Sequence, residues 1–121
     1  MKNFKSMILV TVLSLFSITV FSQTGISGKW NTGDQNTIVE IKLEDGVYNG
    51  KIISSDNTEV EHGKIILKEV TPKKNSWSGK IYAIRRGEWF DTEISISGNK
   101  MKLEMSVGFF SKTLEWTKHN P

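Results

Sequence analysis

From Ile26 onward, apolar and polar side chains alternate with a period of two. In "TIVEIKLEDG" the residues Val39, Ile41 and Leu43 alternate with Glu40, Lys42 and Glu44. In "WFDTEISIS" Phe90, Thr92, Ile94 and Ile96 share one face, opposite Asp91, Glu93 and Ser95. In "KMKLEMSV" Met101, Leu103, Met105 and Val107 alternate with Lys102, Glu104 and Ser106. Strict alternation of this kind marks antiparallel strands with one dry and one wet face. No stretch after the N-terminal segment carries a helical stripe. Residues that tolerate positive φ separate the runs at Asp45-Gly46, Arg86-Gly87 and Ser97-Gly98-Asn99, and Lys73-Lys74-Asn75 follows Pro72. The predicted strands are 28–32, 36–43, 47–54, 64–70, 77–84, 88–97, 100–107 and 111–118. A meander of eight short strands predicts a closed barrel or a sandwich, and closure removes the exposed edges that a small domain would otherwise have to protect. Most of the strands are too short for a membrane barrel, which needs about 9–11 residues per strand.

Two strands begin alike, "YNGKII" at 48–53 and "WSGKIY" at 77–82. Glycine inside a strand marks a bulge, a bend or a close backbone approach. The residues between the two copies show no further self-similarity, so the echo predicts two strands meeting one physical demand rather than a repeated ligand motif. A second device stands at the chain's ends. Gly28-x-Trp30 on the first strand and Lys118 on the last match the closure of small up-and-down barrels, in which the Trp plugs one end and a cation lies over its ring; the alternative is an ordinary core tryptophan, and either role is structural. Burying about 150–250 Å² of Trp at about 25 cal/mol/Å² stabilises by roughly 4–6 kcal/mol, and the cation adds about 0.5–2 kcal/mol.

The first 22 residues carry a different pattern. Lys2 and Lys5 precede an almost unbroken apolar run from Met7 to Phe21, shorter than the ~20 residues of a membrane-spanning helix. Val20-Phe21-Ser22 supplies a small-residue cleavage site before Gln23, so a cleaved secretory signal peptide is expected over 1–22 and a single domain over 23–121. The expected location is periplasmic or secreted. Removing Lys2 and Lys5 from 16 basic side chains leaves 14 against 13 acidic ones, so the net charge of +3 largely disappears with the leader. Near-neutrality argues against a nucleic-acid partner. With no cysteine, the exported chain has neither disulfides nor a cysteine-linked lipid, and no covalent membrane anchor is expected.

Catalytic patterns are missing. There is no cysteine nucleophile and no Gly-x-Ser-x-Gly elbow, and His62 and His119 stand apart without metal-ligand spacing. Asp91 and Glu93 fall on the outward phase of a strand, where carboxylates are ordinarily solvated. The expectation is a non-enzyme with no cofactor and no metal. The aromatics are more informative. If Phe90 faces inward, Trp89 faces outward, and Phe109-Phe110 after Gly108 cannot both be buried by alternation. Either these rings are contact residues near loops, or bulges at Gly87 and Gly108 tuck them in. Candidate ligand contacts are Tyr82, Trp89, Met105, Phe109 and Phe110.

Gly28-x-Trp30, Trp77-x-Gly79-Lys80-Ile81-Tyr82 and the closing Trp116-x-Lys118 resemble the bacterial domain-of-unknown-function family 2147. The resemblance spans essentially the whole of 23–121 and implies an exported, lipocalin-like (calycin-like) antiparallel barrel of eight strands, with Gly28, Trp30, Trp77, Gly79, Trp116 and Lys118 as barrel-closure residues. Three features depart from the family pattern: Ala83-Ile84 replaces Asp-Pro, the loop "SSDNTEVEHG" at 54–63 is shorter and lacks proline, and Lys118 replaces Arg. Two functions fit such a barrel. It binds a small apolar or amphipathic ligand at its open end, where methionines suit an adaptable pocket. Alternatively, it is filled and acts through its surface on an envelope protein or polysaccharide.

Overall fold

A computed structural model describes residues 25–120; the expected signal peptide over 1–22 lies outside them. The described residues form eight strands and no helix: β1 (Gly28–Asn31), β2 (Ile38–Glu44), β3 (Val47–Ser54), β4 (Ile65–Pro72), β5 (Trp77–Ala83), β6 (Glu88–Ser97), β7 (Lys100–Val107) and β8 (Phe110–Lys118). Each pairs antiparallel with its neighbour in sequence and β8 returns to β1, closing the barrel. β2 starts at Ile38 rather than 36. Gln35 and Asn36 both take positive φ (48° and 51°), and the Thr37 amide donates to the Asp34 carbonyl in a turn.

Strict up-and-down order sorts the connections onto two ends. Residues 25–27, the turns at 45–46, 73–76 and 98–99, and the C-terminal tail lie at one end. The loops 32–37, 55–64, 84–87 and 108–109 lie at the other, called here the mouth. The alternation read along β7 is realised residue by residue: Met101, Leu103, Met105 and Val107 are buried and their neighbours exposed. They join Trp30, Val39, Ile41, Ile52, Leu67, Val70, Ile94 and Trp116 in one apolar cluster. The buried Thr92 on β6 satisfies its hydroxyl by donating to the Glu104 carbonyl at 3.1 Å.

β4 carries the distortions that let the sheet coil. Against β3, Gly50 pairs with Leu67 but Lys51 with Ile65, so Ile66 is an extra residue, and Ile66 and Leu67 are both buried in succession. Against β5 the register slips again between Lys68 and Thr71, around Glu69 at φ 55°. Gly50 and Gly79 face this doubly bulged strand from its two sides. A Cβ on Gly79 would lie 2.6 Å from Val70 Cγ2 and 2.9 Å from the Lys68 carbonyl oxygen. The echoed glycines therefore make room for a neighbour's bulges, and the extra residues sit on β4 rather than on their own strands.

Candidate functional site

The end opposite the mouth is sealed. Trp30 is completely buried, and its indole N–H donates to the Ile26 carbonyl at 3.0 Å. Lys118 Nζ stands 4.8 Å from the Trp30 ring centroid and donates to the Ser27 carbonyl at 2.9 Å. Gly28 sits beside this lysine at φ 126°, where a Cβ would lie 2.7 Å from Nζ. Glycine is thus required twice, by the backbone angle and by the passing cation. Trp77 packs half-buried against the core beneath Gly25, and Trp116 is buried opposite Met101. Of the six barrel-closure candidates, Lys118 touches both Gly28 and Trp30 at this end, whereas Gly79 stands against the bulged β4 and Trp116 opposite Met101.

Lys118→Met should lower the unfolding free energy by about 1–2 kcal/mol, because the stacked cation and a charge-assisted hydrogen bond are lost together. Lys118→Arg should recover most of it. Urea titration followed by tryptophan fluorescence distinguishes the two, and equal midpoints for wild type and Lys118→Met would show that the cation contributes nothing.

The candidate ligand contacts do not converge. Met105 points into the barrel and is buried. Tyr82 and Trp89 pair across β5 and β6 on the outer wall, their ring centroids 5.3 Å apart at 62°. Phe109 and Phe110 stand at the β7–β8 hairpin tip, 103% and 55% exposed, so no bulge tucks them inward. The reason is the shortness of β1. It meets β8 only at Trp30↔Lys118 and Asn31↔Thr117, so the mouth half of β8 extends beyond the end of β1. Phe110 and Lys112 are in register with Val107 and Met105, hence on the inward phase, yet both are exposed. A lysine on such a strand end discourages edge-to-edge association.

The remainder of the mouth is laced shut. The amide of Ile52 donates to the Lys64 carbonyl and the amide of Gly63 to the Ile52 carbonyl, pinning loop 55–64 to β3. Asn36 donates to Asp56 at 2.7 Å, the Thr37 and Ser55 hydroxyls meet at 2.7 Å, and Val60 packs on the core.

Two pockets lie on the outer wall. A groove of about 460 Å³ runs over Ser78, Lys80, Asp91, Glu93, Glu104 and Ser106. A notch of about 300 Å³ lies over Ile38 and Ile53 beside Lys29 and His119. No cluster of His, Asp or Glu among the described residues is arranged to hold a metal.

The sequence reading missed Lys64 and Lys68. Their ammonium groups stand 4.5 Å from the Tyr82 centroid and 4.1 Å from the Trp89 centroid. No local pattern announces these contacts, since Lys64, just before β4, and Lys68, on it, reach the rings only through the pairing of β4 with β5.

Residues 28–118 match the family described as "Uncharacterized protein conserved in bacteria (DUF2147)". Among solved structures, protein HP1028 from Helicobacter pylori, described as belonging to the lipocalin family, superposes with a TM-score of 0.64 at 18% identity, over 78% of this chain and 83% of that one. No curated protein matches the chain.

Proposed function

The chain belongs to the DUF2147 family, and from that premise we propose that it is an exported, non-enzymatic binding module whose filled barrel presents contact residues on its outside. The observation that carries this reading is the interior. Trp30, Val39, Ile52, Leu67, Val70, Ile94, Met101 and Leu103 are fully buried in one cluster, and an eight-stranded barrel is just wide enough for side chains to fill. The ring systems left for recognition, Tyr82 with Trp89 and Phe109 with Phe110, lie on the outer wall and at the hairpin tip. Phe109 and Phe110 are exposed and Tyr82 and Trp89 half-buried, and aromatic clusters within reach of solvent are the usual anchors of such surfaces.

A second reading keeps the small ligand but places it at the mouth. Phe110 and Lys112 occupy the inward phase of β8 while remaining exposed, and a ring beside an ammonium group suits an amphipathic carboxylate. Native mass spectrometry of the full chain, expressed with its leader and purified gently, separates the two. The expected result is the bare mass of residues 23–121. Additional mass lost on denaturation would overturn the surface reading in favour of the mouth ligand, and retention of residues 1–22 would overturn the leader's removal.

A further inference from the structure

The outer shoulder of the barrel holds a second arrangement that barrel closure does not need. Tyr82 and Trp89 stand edge to face on β5 and β6, each with a lysine over its ring, Lys64 on Tyr82 and Lys68 on Trp89. The ion pairs among the described residues engage Lys42, Lys51, Lys80 and Lys100, so neither stacked lysine has a carboxylate partner. Lys68 is moreover directly opposite Lys80 across β4 and β5. Like charges at facing positions destabilise a sheet, and only Lys80 is offset, by Asp91 at 3.2 Å. The exposed Arg85-Arg86 turn adjoins this shoulder at the end of β5. From Trp89 the same face continues through Asp91 to Glu93, about 14 Å along the strand, into the groove lined by Ser78, Lys80, Glu69 and Glu104.

Resting on the surface-module reading, and naming its partner class, we propose that this shoulder binds an acidic polysaccharide with spaced charges. Lys64 and Lys68 pair with its carboxylate or sulfate groups, and Tyr82 and Trp89 meet the apolar faces of its sugar rings. Both rings are half-buried, and a cation held over a ring that solvent still reaches is bound by about 0.5–1 kcal/mol, so the lysines exchange the ring for an anion at modest cost. The neighbouring groove offers carboxylate and hydroxyl acceptors to sugar hydroxyls. Its four acidic residues, Glu69, Asp91, Glu93 and Glu104, outnumber its two lysines, Lys73 and Lys80, and this excess negative charge repels a polyanion as dense as duplex DNA, which carries one charge per ~1.7 Å. A polymer with neutral, hydroxyl-rich units between its charges fits both halves of the face.

The test is affinity electrophoresis of the full-length protein at low salt. The gels contain hyaluronan, with a carboxylate on every second sugar, neutral dextran, or a single-stranded DNA oligonucleotide. The expected result is retardation by hyaluronan and not by dextran, weakened roughly tenfold in the Lys64→Gln/Lys68→Gln variant and unchanged in the charge-matched Lys42→Gln/Lys102→Gln variant, whose lysines are exposed on other strands. Losing two contacts of about 0.5–1 kcal/mol each should lower the melting midpoint of the lysine variant without unfolding it at the temperature of the gel, and a melting curve of each variant checks that loss of fold does not confound the comparison. No retardation by hyaluronan, equal retardation of the lysine variant, or tighter binding of the oligonucleotide would overturn the proposal. A bare native mass with no retardation removes this partner class alone, whereas a cargo in the native mass removes the surface reading on which it rests.

Discussion

Replacing Trp30 with alanine is expected to lower the free energy of unfolding by about 3–5 kcal/mol, the range for a fully buried tryptophan. Three losses coincide at this residue. The ring is completely buried, its N–H satisfies the Ile26 carbonyl at 3.0 Å, and Lys118 loses the face over which it stands. Domains of this size are stable by about 5–15 kcal/mol, so the variant approaches the unfolding threshold. Its melting midpoint should fall by roughly 12–40 °C. Trp30→Phe retains most of the apolar surface but leaves the Ile26 carbonyl without its donor, which costs about 1–3 kcal/mol. Urea unfolding of the three proteins measures the ladder. A loss below about 1 kcal/mol for Trp30→Ala would mean that the seal is dispensable and that the barrel is held by its walls.

The second large effect is at Gly79, where a methyl group meets atoms that cannot rotate away. A Cβ there would lie 2.6 Å from Val70 Cγ2, 2.9 Å from the Lys68 carbonyl oxygen and 3.0 Å from Val70 Cα. Two of the three are backbone, so Gly79→Ala must push β4 outward, at about 1–3 kcal/mol or more. Gly50→Ala is the internal comparison. Its nearest atoms are side-chain carbons of Val39, Leu67 and Ile41 at 3.0, 3.1 and 3.4 Å, and the cost should be the smaller of the two. Adding Val70→Ala to Gly79→Ala removes the Cγ2 clash and leaves the carbonyl clash, so it should not restore stability. Denaturant midpoints decide it: a Gly50→Ala variant less stable than Gly79→Ala, or full rescue by Val70→Ala, would show that the bulged backbone of β4 is not the constraint.

Most of the secondary structure was legible in the sequence, and the reason is local. A pleated strand turns alternate side chains to opposite faces, so Met101, Leu103, Met105 and Val107 declare their dry face without reference to any other strand. Turn residues do the same at Asp45-Gly46, where φ is positive at both positions. The aromatic candidates were legible as residues needing an explanation and illegible as a site, because alternation assigns a face and not a neighbour. It put Trp89 outward only on the condition that Phe90 faced inward, and left open whether bulges at Gly87 and Gly108 would tuck these rings in.

By itself, then, the sequence determined the strands, their faces, the turns and the positions of the residues around the seal. Tertiary structure alone decided that β4 would be bulged toward both echoed glycines, that β1 would end too soon to cover the mouth half of β8, and that Lys64 and Lys68 would stand over Tyr82 and Trp89. Each of these depends on register between strands. Register is set by the packing of the whole barrel, and a slip of one residue on β4 would send Lys68 to the opposite face from the ring it now covers.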